Sequence, residues 1–221
     1  MSVFFWPSLR CARFWIGALA IELSCSLAAA APLAPTIVVV GDSISAGYGL
    51  PPDSGWTTLL QQRLAAEHYA YRVVNASISG DTTAGGLARL DPLLAQLRPA
   101  ITIIELGGND GLRGGSLDAM RANLDAMVVA AQKTGSRVLL VGMQLPPNYG
   151  PAYVRSFSAI YAEIAKARHA ALVPFLFEGF ADDSTLFQPD QIHPLAAAQP
   201  KLLDNVWPEL KPLLGAAGKA S

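Results

Sequence analysis

Residues 36–47 read Thr-Ile-Val-Val-Val-Gly-Asp-Ser-Ile-Ser-Ala-Gly. Thr36 to Val40 are all β-branched and then break at a Gly-Asp-Ser turn. A strand with one wet face alternates apolar and polar residues, whereas an unbroken apolar run predicts cover on both faces, the condition of a parallel sheet. Similar runs follow at Tyr71–Asn75, Ile101–Leu106, Arg137–Met143 and, less marked, Ala171–Phe175. Helical spacing separates them. Leu87, Leu90, Leu94 and Leu97 form one stripe, and Leu117, Met120, Leu124 and Met127 form another behind a Ser116 cap, with Gly135 placed to stop it. Tyr153, Phe157, Ile160 and Ile164 make a third stripe. After Pro194 the presence of Pro200 and Pro208 predicts a short turn and an interrupted helix packing through Leu203, Val206, Trp207 and Leu210. No repeat or linker divides this pattern. It predicts a single α/β domain, a three-layer α/β/α sandwich around a five-stranded parallel sheet. Ligands of such sheets bind beyond the carboxyl ends of the strands, so the loops after the first three strands are where chemistry is expected.

The chain has 221 residues, 52% hydrophobic and 15% charged, with a formal charge of -1. Its mean hydropathy of +0.33 is the reverse of the disordered signature, and a pI near 6.3 gives no electrostatic reason to bind nucleic acid or an anionic membrane. The first thirty residues stand apart. Arg10 and Arg13 precede an apolar run, Phe14 to Ile21, and the chain then moves to small residues at Ala28–Ala31. That order predicts a secretory signal peptide over residues 1–30, cleaved near Ala30, ahead of a domain over 31–221 that is periplasmic or secreted. An anchoring helix is the competing reading, but Glu22 ends the apolar run well short of the roughly 20 residues a bilayer needs. No stable membrane anchor is expected. Cys11 and Cys25 both fall in the leader, so the domain has no disulfide, thiolate metal site or cysteine nucleophile. Glu22, Leu23 and Ser24 are a poor match to a lipidation signal at Cys25. Monomer is the default expectation.

Four short segments carry chemistry-bearing residues. Ser43 follows the first strand in a glycine turn, where its hydroxyl can be presented at the sheet rim as a nucleophile. Gly, Asp and Ser are also ordinary turn residues, and Ser45 stands where an α/β-hydrolase elbow has glycine. Gly80 follows the second strand and can offer its amide hydrogen at close approach, with Thr82 or Thr83 capping the next helix. Asn109 follows the third strand between glycines, either as an inward neutral donor or as the holder of a left-handed turn. Asp190 lies three residues before His193 in a turn ended by Pro194, a spacing that lets the carboxylate accept from Nδ1 and leaves Nε2 free as a base. His68 and His169 lack such a partner and read as surface residues at helix ends. A metal site on Asp182, Asp183, Asp190 and His193 is disfavoured, because those acids fit a solvated loop and no second histidine is near.

Taken in order, Ser43, Gly80, Asn109 and the pair Asp190 and His193 resemble the four blocks of the SGNH or GDSL hydrolases. The resemblance runs from about Thr36 to Leu214 and is nearest to the bacterial periplasmic thioesterase I, arylesterase and lysophospholipase group. Gly41–Gly47, Val74–Thr82, Leu106–Gly114, Leu145–Gly150 and Ile192–Pro194 carry it. Gln191 departs from it, standing where glycine is expected. The resemblance implies the flavodoxin-like SGNH hydrolase fold, with Ser43 as nucleophile, His193 as base and acid, and Asp190 orienting His193. It places the oxyanion hole at the Ser43 and Gly80 amides and the Asn109 side chain. It implies no metal or organic cofactor, and a small-molecule ester or thioester substrate with an acyl chain. Tyr149, Gly150 and Pro151, in the loop after the fourth strand, are expected beside the acyl groove; the competing reading is a surface connection whose Tyr149 covers the helix starting near Pro151. Other readings are a phosphate or flavin binder, a silent lipid-binding protein, and a carbohydrate acetylesterase of the same superfamily. The first leaves Asn109, Asp190 and His193 without a role, and the second would need the same apolar groove but no triad.

Overall fold

The computed structural model describes residues 1–3 and 34–215. The predicted leader, with Cys11 and Cys25, lies outside the described residues apart from its first three. All the described strands and helices belong to one unit, Leu33–Ser221.

Five strands form one parallel sheet in the order β2-β1-β3-β4-β5: β1 Thr36–Gly41, β2 Arg72–Asn75, β3 Ile101–Glu105, β4 Arg137–Val141 and β5 Ala171–Val173. On one face, helix α3 (Thr83–Leu97) packs on α5 (Leu117–Lys133) and α5 on α6 (Pro151–Arg168). Helices α2 (Trp56–Ala66) and α7 (Gln199–Leu210) pack together on the other. This is the expected three-layer sandwich. Double cover holds for the centre, where every residue of β1 and β3 is buried. It fails at the edges: Arg72 and Asn75 of β2 are exposed, and Ala171 and Leu172 of β5 are half-buried, because an edge strand has a neighbour on one side only.

The expected strands also run long. Leu106, Met143 and Phe175 leave the ladder at its carboxyl end, and the last two line a cavity there. Ser116 caps α5 by accepting from the Ala119 amide, and Thr82 caps α3 from Gly85. Helix α2 has no named precursor in the sequence pattern. Its signal is the buried series Trp56, Leu60 and Leu64, obscured by a start at Gly55 with no side-chain cap. The expected break in the last helix is absent, and α7 continues through Pro208 to Leu210 before a single 3-10 turn. A proline so near the end removes only one of the last backbone hydrogen bonds. No helix among the described residues is long and apolar enough to cross a membrane.

The sheet order fixes where loops can meet. From β1 the chain goes outward to β2, then returns past β1 to β3, so the strand order reverses between β1 and β3. Gly41 is the register partner of Glu105, and the loops that follow these residues emerge side by side.

Candidate active site

At the end of β1, Gly41 is buried with Glu105 and Ser45 so close that an added Cβ would stand 2.7 Å from Glu105 Oε2. Asp42 caps the one-turn helix α1 (Ser43–Ala46), its Oδ1 accepting from the Ile44 amide at 3.0 Å. Gly47, at φ 75°, ends it. Ser43 thus sits at the first position of α1 with its hydroxyl at the rim of the sheet. His193 Nε2 lies 2.8 Å from Ser43 Oγ, and His193 Nδ1 lies 2.7 Å from Asp190 Oδ2. Asp190 Oδ1 accepts from the Ile192 and His193 amides, each at 3.0 Å. Partial desolvation would raise the Asp190 carboxyl, but the hydrogen bonds from the His193 ring and these two amides outweigh it and hold the group at about 2. An ionised carboxylate only accepts, so the ring proton belongs on Nδ1 and the Nε2 lone pair faces the serine hydroxyl. Tyr48 lies over the His193 ring, centroids 4.7 Å apart.

Gln191 adopts φ 57°, which explains why a glycine is the expected residue there. Its amide and side chain both donate to the Gln188 carbonyl, which helps hold the strained turn. His68 and His169 are exposed at the ends of α2 and α6. Asp183 is occupied in accepting from the Thr185 amide and hydroxyl, away from Asp190.

Opposite the serine, Gly80 takes φ 82° in the loop after β2. Among the described residues neither the Ser43 nor the Gly80 amide has a protein acceptor. Asn109 lies in the short helix α4 (Gly108–Leu112), so the left-handed backbone falls on Gly107, at φ 116°, and not on the asparagine. Its Nδ2 donates to Asp42 Oδ2 at 3.0 Å and to the Asp81 carbonyl at 2.9 Å. The structure therefore brings Ser43, Asp190, His193, Gly80 and Asn109 to one place.

Two carboxyls lie behind the serine. Burial pushes Asp42 up to about 6 against hydrogen bonds from Ile44 and Asn109. Burial, reinforced by Asp42, drives Glu105 well above the ordinary glutamate value. Glu105 Oε2 accepts from Ser45 Oγ at 2.7 Å, Oε1 has no partner, and the same serine hydroxyl accepts from Trp56 Nε1 at 3.2 Å. The sequence pattern does not announce this pair: Asp42 reads there only as a turn residue, and Glu105 only as the end of an apolar run.

A cavity of about 530 Å³ opens beside Ser43. Its apolar walls include Leu145, Pro146 and Pro147 on one side and Phe175, Phe177 and Phe187 on the other. Tyr149, Gly150 and Pro151 are not part of this wall. A 3-10 turn over Pro147–Tyr149 carries the tyrosine back, so that its hydroxyl donates to the Leu112 carbonyl at 2.9 Å, and Gly150 and Pro151 begin α6. The expected loop does reach the groove, but through the residues just before those named.

Residues 39–199 match the model of the GDSL-like Lipase/Acylhydrolase family. The chain belongs to that family. Esterase TesA of Pseudomonas aeruginosa is 57% identical over 198 residues, covering 90% of this chain and 96% of that one. The thioesterase 1/protease 1/lysophospholipase L1 of Escherichia coli is 40% identical over 184 residues, covering 83% and 87%. A crystal structure of TesA superposes with a TM-score of 0.79 at 58% identity, covering 80% of this chain and 99% of that one. The esterase EstA of Pseudoalteromonas, inhibited by monoethylphosphonate, gives 0.77 at 41% identity, covering 81% and 98%. This GDSL-family chain is an enzyme, an acyl hydrolase of the esterase and thioesterase type.

The raised Glu105 carboxyl bears on stability. A folded-state value above the unfolded one means that the folded protein holds its proton longer, so wild-type stability falls as pH rises above the unfolded glutamate range. Glu105→Gln keeps an oxygen for Ser45 and has no proton to lose. Urea denaturation at pH 5 and pH 8 should show the variant gaining on the wild type at the higher pH, and a constant difference would contradict the assignment.

Proposed function

We propose that Ser43 attacks the carbonyl carbon of acyl esters and thioesters, with His193 as base and acid and Asp190 orienting its ring. The observation that carries this reading is the relay from Asp190 through His193 to Ser43, at 2.7 and 2.8 Å, at the mouth of an apolar groove. As the serine oxygen bonds to carbon, its proton passes to Nε2 and the imidazolium is stabilised by Asp190. The tetrahedral oxyanion is held by the Ser43 and Gly80 amides and the Asn109 side chain, which keeps one N–H on Asp42 and turns the other from the Asp81 carbonyl to the oxyanion. His193 then protonates the leaving alcohol or thiol. Water, activated by the same nitrogen, releases the acid from the acyl serine.

Ser43→Ala and His193→Ala should each lower kcat by about 10⁴ to 10⁶, because such residues act as a unit. Asn109→Ala should cost about 10² to 10³, the loss of one oxyanion donor. Steady-state rates, with circular dichroism to confirm folding, test both, and activity above a tenth of wild type in a folded Ser43→Ala protein defeats the reading. A fluorophosphonate should label the wild type and spare Ser43→Ala, in keeping with the phosphonate inhibition of the related EstA.

The substrates proposed are aryl esters, acyl-CoA and lysophospholipids, with the acyl chain in the groove between Leu145–Pro147 and the phenylalanines. Each methylene buried there contributes up to about 0.8 kcal/mol. Pro146→Ala and Phe177→Ala should therefore change kcat/KM for dodecanoyl aryl esters more than for acetyl ones. One common factor across chain lengths would remove the groove from substrate choice.

Residues 1–30 are proposed as a cleaved export signal and 31–221 as the hydrolase domain, acting as a monomer in the periplasm or outside the cell. The basic, apolar and small-residue order of the leader supports this. Intact mass of the protein recovered from the periplasmic fraction should begin near Ala31, and an unprocessed cytoplasmic chain would contradict it.

A further inference from the structure

Arg113 follows the last turn of α4, with an exposed side chain and, among the described residues, no ion pair. One of its terminal nitrogens donates to two neutral oxygens, the Gly80 carbonyl at 3.1 Å and Asn109 Oδ1 at 3.3 Å. The two hydrogens of that nitrogen match the two acceptors. Both acceptors belong to residues that supply the oxyanion donors in the proposed mechanism, and they come from separate segments, the loop after β2 and helix α4.

The chemistry around Asn109 admits one orientation of its amide. Nδ2 faces Asp42 Oδ2 and the Asp81 carbonyl, which only accepts, and Oδ1 faces a guanidinium, which only donates. A flipped amide would set oxygen against carboxylate and NH₂ against guanidinium. Asp42 is buried and fixed by its cap to Ile44, so it secures the inner side of the amide. Arg113 secures the outer side. A cation on Oδ1 also polarises the amide and strengthens its N–H groups as donors. The loop is tied by the same atoms, since Arg113 holds the Gly80 carbonyl and Asn109 holds the next one, that of Asp81. Asp81 is gripped from beneath by Arg89 at 2.8 Å.

We propose that Arg113 is a positioning residue of the oxyanion hole, fixing the Asn109 amide as a donor for the transition state, with the Gly80 carbonyl as the second anchor of the guanidinium. The proposal rests on the assignment of Asn109 and Gly80 to that hole. Its effect belongs in kcat, because an oxyanion donor acts where charge develops and not on the bound ground state.

The test is a kinetic cycle with an uncharged aryl ester, using the whole protein and the variants Arg113→Met, Asn109→Ala and the pair. Arg113→Met should lower kcat about tenfold with KM changed less than about twofold. In the Asn109→Ala background the same substitution should cost less than about threefold, because the two residues act together. In Arg113→Ala, guanidinium ion well below denaturing concentrations should restore part of the lost kcat, a response that a general loss of stability does not give. An unchanged kcat in Arg113→Met, or a full tenfold loss repeated in the Asn109→Ala background, overturns the proposal. So does a loss confined to KM for acyl-CoA or lysophospholipid, which would make Arg113 a contact for substrate phosphate. If Asn109→Ala itself retains full kcat, the oxyanion assignment fails first. If Asn109→Ala is impaired and Arg113→Met is not, the role of Arg113 alone is refuted.

Discussion

Gly41 and Glu105 are register partners where β1 and β3 end, and a Cβ on residue 41 would stand 2.7 Å from the Glu105 carboxyl and 2.8 Å from Ser45 Cβ. Gly41 does not use a positive φ, so the glycine is required by proximity and not by conformation. Without a side chain there, Glu105 reaches the Ser45 hydroxyl, and Trp56 Nε1 meets the same hydroxyl from α2. Helix α1 is thereby tied to β3 and to α2 by atoms directly beneath Ser43. The nucleophile proposed here owes its fixed place to a contact that a single methyl group would abolish.

Three carboxyl groups lie near Ser43 and His193, and their surroundings separate them. Glu105 is fully buried and Asp42 nearly so, and desolvation raises both. Asp190 is partly exposed and collects three hydrogen bonds, which lower it. Only the last is held below the ordinary carboxylate range, as suits a group that must stabilise an imidazolium. Asp42 serves otherwise, with one oxygen capping α1 and the other accepting from Asn109. The raised value of Asp42 records the cost of burying a carboxylate where geometry needs an acceptor. His193 lowers it through space, so a positive ring would favour the charged form of Asp42.

Much of the fold and site is legible in the sequence because the informative signals are local. β1 and β3 are unbroken apolar runs that announce cover on both faces, Ser43 and Asn109 each follow such a run within a few residues, and Gly80 follows the shorter run of β2. Asp190 and His193 interact across three positions, so their spacing alone carries the contact. Contacts that depend on how a loop returns are not legible. Tyr149 is expected at the groove, but it closes the 3-10 turn Pro147–Tyr149, which directs its hydroxyl to Leu112, 37 positions away. The Arg113 contact with Gly80 spans 33 positions, and the Ser45 contact with Glu105 spans 60. No periodicity reports such a pair. Helix α2 escapes notice for another reason: its buried residues keep helical spacing, but Gln61, Gln62 and Arg63 dilute the stripe and Gly55 supplies no cap.

The two halves of the site are held by different means. On the side of Ser43, Asp190 and His193, each turn is closed by its own hydrogen bonds: Asp42 to Ile44, and Asp190 to Ile192 and His193. These turns keep their shape locally, and Gln188 ties one to the other, its side-chain amide donating to the Tyr48 carbonyl just after α1 at 2.8 Å. The groove is held by packing. Phe177 contacts Phe175, Phe180 and Phe187 at centroid distances of 5.5–5.9 Å, and the opposite wall at Pro146 and Pro147 has no amide hydrogen to give. Packing without directional bonds tolerates volume-conserving exchange far better than a relay set at 2.7 and 2.8 Å. The same residues that would choose the acyl chain are therefore the ones this fold can change at least cost to the chemistry beside them.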